Sequence, residues 1–281
     1  MNKYLPLFFL MVFVSCVGTK VDESVTTGNI NALAPYLWND KSFPKSIRVS
    51  SSFDAAELAN ITDMSTAWQT TVNNTPFFSY GARASEISNN VNNMDAFYDN
   101  VMGVYKTTSW PDGLPTSALA VTQIFGRRYN TGSASEFVNI EHADILVNYE
   151  IFNFDTAASG SGYDLRTVIL HEMGHFLGLQ HNTAVGRANS IMYPSISSTE
   201  AKRSPLTADI NDLAGKYGIA MGGSTGGSAI AAMSANQNQY VIDEDQPNEA
   251  IKILIELHAD GECVHKINGA PVGRHHVDLK K

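Results

Sequence analysis

The sequence predicts an α/β (α+β) domain in which a mixed sheet forms early in the chain and helices follow late. Three observations carry this. Segments such as "SIRVSSSF", "LAVTQIFGRRYN" and "EFVNIEHADILVNYE" read as strands, some with apolar and polar residues in alternation, as half-buried strands do. Other segments repeat apolar residues at helical spacing. The order is strand, helix, several strands, then two helices. The 281 residues, 43% of them hydrophobic, suffice for one sizeable core plus appendages.

Taken in chain order, Ile47, Val49 and Ser51 share one face of a first strand. "DAAELANITDMSTAWQTTV" reads as a helix. Asp54 caps it, Glu57 completes a capping box, and Leu58, Ile61, Met64, Ala67 and Trp68 form the apolar stripe. Residues 79 to 100 are rich in Asn and Ser, with a weak helical pattern around Ile87, Val91 and Met94. "NVMGVYKTTSW" is strand-like and "PDGLP" is a turn. Tyr163 to Leu177 forms a second helix, capped by Asp164, with Leu165, Val168, Ile169, Met173 and Phe176 on one side. In "PLTADINDLAGKYG", Thr207 is the expected cap and Gly218 the stop of a last helix. These elements make a domain of residues 42–220. A Gly/Ser- then Asn/Gln-rich linker follows at 221–239, and a small β-rich segment at 240–281. There Ile251, Ile253, Ile255 and Leu257 share a face, and Asp260-Gly261 and Asn268-Gly269 signal hairpins. Such a β-meander is marginal alone and is expected to pack on the main domain or on a partner.

The first residues differ from the rest. "MNKYLPLFFLMVFVSC" places Lys3 before an apolar run from Tyr4 to Val14, the length of a secretory h-region and short for a membrane span. Phe13-Val14-Ser15-Cys16 resembles the lipobox of bacterial lipoproteins, although Phe13 departs from the usual Leu. The resemblance implies a signal peptide at 1–15, a lipidated Cys16 that anchors the chain to a membrane, and a polar tether at 16–41. Val17, in place of an Asp, favours an outer membrane if the organism has one. A plain secretory signal cut elsewhere is the alternative. The net charge is −9, with 19 Lys and Arg and no basic run, which argues against a nucleic-acid partner. With Cys16 lipidated, Cys263 stands alone and no intramolecular disulfide forms. Nothing in the sequence sets an oligomeric state.

The chemistry concentrates in "LHEMGHFLGLQHN", residues 170 to 182. His171 and His175 lie four apart, on one helix face, and can offer two imidazoles to one ion. Glu172 lies about 100° round the helix, misaligned as a ligand but placed to hold a water on the metal. Gly178 can turn the chain at low cost and return His181 as a third ligand. Three neutral imidazoles with one open position suit catalytic zinc (Zn2+). Zinc lowers the pKa of its bound water to roughly 7, and Glu172 is the expected general base, later passing the proton to the leaving amine.

The whole pattern, HExxHxxGxxH, resembles the metzincin clan of zinc peptidases. Met192, eleven residues after His181 in "NSIMYPSI", supplies the methionine turn of that clan. "IMYP" and "LTADINDLAGKYG" are similar to the matrixin, or matrix-metalloproteinase-like, branch, with Ala208 where the family usually has Asp and one residue fewer just before Asp209. The resemblance spans roughly residues 45 to 218. It implies a metzincin-like twisted sheet, active-site helix, Met-turn and C-terminal helix, in an endopeptidase acting on proteins or peptides. Substrate is expected along an edge strand containing Ala143 to Asn148, beside a pocket walled by Tyr193, Pro194, Ser195 and Ile196. A second, structural zinc is not expected, because the stretch between Asp144 and His171 holds no histidine and His142 has no visible partner. Calcium (Ca2+) is left open, with Asp155 and Asp164 read as turn and cap residues. The only cysteine before the domain is Cys16, so a propeptide thiol on the zinc is not expected, and nothing specific marks Asp22, Glu23 or Asp40 as a carboxylate plug. In the tail, His258, Cys263, His265, His275 and His276 are read as solvent-facing residues of a docking module rather than a second metal site. The competing functions are a non-catalytic binding lipoprotein that keeps the peptidase fold as scaffold, and a zinc hydrolase of non-peptide substrates. The presence of His171, Glu172, His175 and His181 together argues against the first, and the matrixin-like string against the second.

Overall fold

The computed structural model describes residues 34–83, 94–157, 159–184, 186–221, 240–242, 248–259 and 262–276. The signal segment, Cys16, Asp22, Glu23, Ile87, Val91, residues 222–239 and the Asp260-Gly261 turn lie outside the described residues.

The alternation in "SIRV" becomes β2 (Lys45–Val49), with Lys45, Ile47 and Val49 buried and Ser46 and Arg48 exposed; Ser51 falls in the turn beyond it. Helix α1 (Ala55–Thr71) starts at the expected capping box. Asp54 Oδ1 accepts from Glu57 N at 2.9 Å, and Glu57 Oε2 accepts from Asp54 N at 2.8 Å. Its Ile61, Met64 and Trp68 are buried. Strands β3 (Phe78–Tyr80), β4 (Gly103–Thr107), β5 (Ala118–Tyr129) and β6 (Phe137–Asn148) follow. A short parallel pair, β7 (Phe154–Asp155) and β8 (Tyr163–Asp164), leads into α2 (Leu165–Phe176); α3 (Thr207–Tyr217) ends the helical part.

These strands order as β5-β6-β4-β2-β3, all parallel except β5, which runs antiparallel on the outside. The sheet is therefore mixed and the helices come late, as expected. Apolar residues of the sheet, including Val104 and Ile145, share one core with Ile61, Trp68, Ile169, Met173 and Phe176 of the helices. The C-terminal segment then adds β9 (Glu249–His258), β10 (Glu262–Ile267) and β11 (Ala270–His276), each antiparallel to its neighbour. β9 pairs with β5 along ten residues, from Ala118 opposite His258 to Arg128 opposite Glu249. The meander therefore packs on the main domain by extending its sheet, and Ile251, Ile253, Ile255 and Leu257 are buried.

Three readings are corrected. Ala143 to Asn148 do not form a free edge: β6 pairs with β4 on one side and β5 on the other. Its nearly continuous apolar run is the mark of a strand buried within a sheet. The tether does not extend to residue 41, because Tyr36 and Leu37 form β1, parallel to the start of β6, and Tyr36, Leu37 and Trp38 are core residues. Burying three large side chains outweighs the polar character of the surrounding segment. Thr207 is the first residue of α3 rather than its cap, and Asp209 Oδ2 instead accepts from the backbone N–H of Leu206 at 3.0 Å. Gly218 does end the helix, in the left-handed conformation.

Asp54→Ala removes an N-cap acceptor from a helix whose stripe lies in the core. Urea denaturation is expected to show a loss of about 1 kcal/mol with the m-value unchanged.

Candidate metal centre

Helix α2 is fixed from several sides before any histidine is considered. Asp164 caps it, accepting from Thr167 Oγ1 at 3.0 Å and pairing with Arg203 Nε at 2.8 Å. Trp68 of α1 donates its indole N–H to Leu170 O at 2.9 Å. Leu165, Val168, Ile169, Leu170, Met173 and Phe176 are all buried. After Leu177 the chain turns at Gly178, with φ of +88°. That conformation favours glycine, and the space demands it as well, since a Cβ there would lie 2.4 Å from Tyr36 O.

The turn brings His181 to His171 and His175. The three Nε2 atoms lie 2.9 Å (His171–His175), 3.0 Å (His175–His181) and 3.3 Å (His171–His181) apart. Their other nitrogens are engaged. His171 Nδ1 meets Ile191 O at 2.6 Å, His175 Nδ1 meets Leu179 O at 2.8 Å, and His181 Nδ1 meets His265 Nε2 at 2.7 Å. A carbonyl can only accept, so His171 and His175 carry their protons on Nδ1 and present bare lone pairs at Nε2. His181 Nδ1 and His265 Nε2 share one N–H, and the tautomer in which His181 donates leaves its Nε2 as an acceptor for a metal. Burial also pushes His171 down to about 4, with a contrary pull from the Ile191 carbonyl, which keeps it neutral. Three lone pairs at these separations repel one another unless a cation lies between them. The donor set fits zinc, for which tetrahedral N–Zn bonds of about 2.0–2.1 Å place nitrogens roughly 3.3 Å apart.

Glu172 is fully buried beside this group. Thr122 Oγ1 of β5 donates to its Oε2, while Oε1 has no hydrogen-bond partner among the described residues. Burial pushes the carboxyl up to about 8, against the Thr122 hydrogen bond. An unsatisfied buried acceptor next to a cation site is where a polarised water can be held.

The Met-turn is tied to the last helix. Asp209 accepts from Ser190 Oγ and, through Oδ2, from Ile191 N at 3.2 Å. Ser190 Oγ accepts from Met192 N at 2.9 Å. Asp209 thus fixes the segment whose Ile191 carbonyl orients His171. Met192 lies against α2 at Gly174, where an added Cβ would meet its Sδ at 2.3 Å. Sequence reasoning placed Asp209 only within a matching string and did not give it this role; a buried Asp three residues into a helix, at the capping position, was the available signal.

Other expected residues fall elsewhere. His142 is not partnerless: its Nε2 meets Asp144 Oδ2 at 2.7 Å and Phe97 O at 2.8 Å, within the sheet. Asp155 accepts from Ala157 N at 2.7 Å, Ser159 Oγ at 2.9 Å and Gly160 N at 2.9 Å, a turn that holds its carboxyl down to about 2. Of the segment expected to wall a pocket, Tyr193 is half-buried and Ile196 packs with Val168, Leu119, Ala120 and Leu257. The reading of the tail as solvent-facing is overturned for His258, Cys263 and His265, which are buried because β9 and β10 extend the sheet beyond β5. Cys263 and His265 reach His181, a contact separated by more than eighty residues of chain and so absent from any local pattern.

Gly178→Ala combines backbone strain with overlap on Tyr36 O. It is expected to lower stability by about 1–2 kcal/mol or more and to reduce bound zinc well below one per chain, read by thermal unfolding and metal analysis of the same sample.

The sequence profile of the matrixin family matches residues 41–218. Human matrix metalloproteinase-26 is 45% identical over 53 residues, 19% of this chain and 19% of its own. Metalloendoproteinase 1 of Glycine max is 41% identical over 59 residues, 21% of this chain and 18% of its own. These alignments span about a fifth of the length of either relative. The family match covers most of the chain, from just before β2 to the glycine that ends α3, and the chain belongs to the matrixin family of zinc metallopeptidases.

Proposed function

We propose that this chain is a zinc-dependent endopeptidase that hydrolyses peptide bonds in proteins, with His171, His175 and His181 as metal ligands and Glu172 as general base. The observation that carries the reading is the convergence of three imidazole Nε2 atoms beside a buried carboxyl oxygen of Glu172 that has no hydrogen-bond partner among the described residues. When bound, zinc supplies Lewis acidity to a peptide carbonyl and to water. The chain's own residues supply the rest. Ile191 O, Leu179 O and His265 hold the imidazoles in one tautomer and one orientation. Thr122 fixes one carboxylate oxygen of Glu172 and leaves the other to take the proton of the attacking water and return it to the leaving amine. Thr122 lies on β5, the outermost strand of residues 42–220. An extended substrate paired to that strand, rather than to β6, would run past Glu172.

The N-terminal segment supports an exported protein anchored to a bacterial membrane through lipid on Cys16, with the outer membrane favoured by Val17. Among the described residues no helix is long and apolar enough to cross a membrane.

Glu172→Ala is expected to keep about one zinc per chain and to lower kcat/KM on casein or gelatin by about 10²–10⁴-fold. Chelation is expected to abolish the wild-type cleavage and added zinc to restore it. Zinc-loaded wild type that turns over no more substrate than Glu172→Ala would instead favour the non-catalytic scaffold.

A further inference from the structure

Strand β10 brings two side chains to the metal centre from a part of the chain that lies outside the matrixin match. Cys263 Sγ lies 3.4 Å from His181 Nε2, the nitrogen that faces His171 and His175. His265 Nε2 lies 2.7 Å from His181 Nδ1, on the opposite side of the same ring. The two residues are two apart on one strand and so share a face. Register explains why that face is the one toward the site. Thr122 of β5, which holds Glu172, is opposite Ile255 of β9, and Ile255 is opposite His265 of β10. In the next row Ala120, Leu257 and Cys263 align. Residues paired across neighbouring strands point to the same side of the sheet, so Cys263 and His265 extend the row that begins at Thr122.

We infer that Cys263 is a fourth ligand of the metal held by His171, His175 and His181, and that β9 and β10 act as a built-in plug of the site. The inference rests on the peptidase reading above. For a tetrahedral ion with Zn–S of about 2.3 Å and Zn–N of about 2.0–2.1 Å, sulfur and nitrogen ligands lie roughly 3.5 Å apart, close to the separation of Cys263 from His181; Cys263 groups with His181 and His265 rather than with all three imidazoles, so coordination requires its side chain to turn toward His171 and His175. His265 is not a competing ligand, because it sits at the nitrogen of His181 that faces away from the other two imidazoles; it is a positioning residue that orients the third ligand. On coordination the thiol proton passes to solvent, Sγ donates a lone pair to the ion, and the position that water needs is filled. A site closed on all four sides is a resting one.

The same segment covers the other surfaces a substrate requires. β9 takes every backbone position along the outer edge of β5 from Ala120 to Arg128 except for one register shift near Ala118, and Leu257 packs against Ile196, in the segment expected to wall the side-chain pocket. The tail therefore occupies strand, pocket wall and metal together, as a bound peptide would. Turnover comes from the fraction of molecules in which these strands have parted.

The test uses the full chain carrying Cys16→Ser, so that Cys263 is its only thiol, loaded with Co2+ in place of zinc. The wild-type site is expected to show thiolate-to-cobalt charge-transfer absorption, lost in Cys263→Ser while the cobalt content stays near one per chain. Cobalt bound without that absorption overturns the inference, and this first spectrum needs no further variant to fold. With zinc restored, Cys263→Ser is expected to raise casein turnover about tenfold or more, the gain for a plug closed about nine-tenths of the time or longer; equal turnover overturns the plug. Failure of the chain that retains Cys263 to bind cobalt removes the three-histidine site itself, and with it the peptidase reading, which separates that failure from the first.

Discussion

Three imidazole nitrogens, none more than 3.3 Å from the next, form an arrangement that is favourable around a cation. The rest of the structure serves to maintain it. Each ring is held by a different part of the chain: His171 by the Met-turn, His175 by the turn after α2, and His181 by β10. Helix α2 supplies the fixed spacing of the first two, and Gly178 the change of direction that adds the third. Outer partners of this kind fix the tautomer and ring plane of a ligand before the metal arrives, so binding energy is not spent on ordering the site.

The supports continue outward in a connected chain. Asp209 at the start of α3 holds the Met-turn, the Met-turn carbonyl holds His171, and Met192 fits against the helix only because residue 174 lacks a side chain. On the other side, α1 reaches α2 through Trp68, and Tyr36 donates to Leu179 O at 2.6 Å, the same carbonyl that orients His175. The result is a buried polar cluster within a continuous apolar core, which raises the Glu172 carboxyl to about 8 through desolvation. A cation at the three nitrogens opposes that shift and favours the ionised carboxylate that a general base requires.

Legibility from sequence followed the range of the interactions. Helix α2, its cap at Asp164, the ligand spacing and the glycine turn all lie within about twenty residues and repeat at the period of one helix, so the residues themselves carried them. The capping box of α1 and the left-handed stop at Gly218 were legible for the same reason. What could not be read was which strand lies at an edge. The apolar run of β6 resembles a cleft border, whereas it is buried between β4 and β5, and the outer strand β5 is covered by a segment more than a hundred residues later. Tyr36 and Leu37 were obscured by polar neighbours although their side chains belong to the core. The contacts of Cys263 and His265 with His181 depend on register across three strands, which no local pattern encodes.

The most direct test is a crystal structure of the zinc-loaded chain with anomalous data at the zinc edge. One zinc is expected, bonded to Nε2 of His171, His175 and His181 and to Sγ of Cys263, with Glu172 beside it and β9 paired to β5. Zinc at any other group of residues, or no ordered zinc at the three histidines, would contradict it.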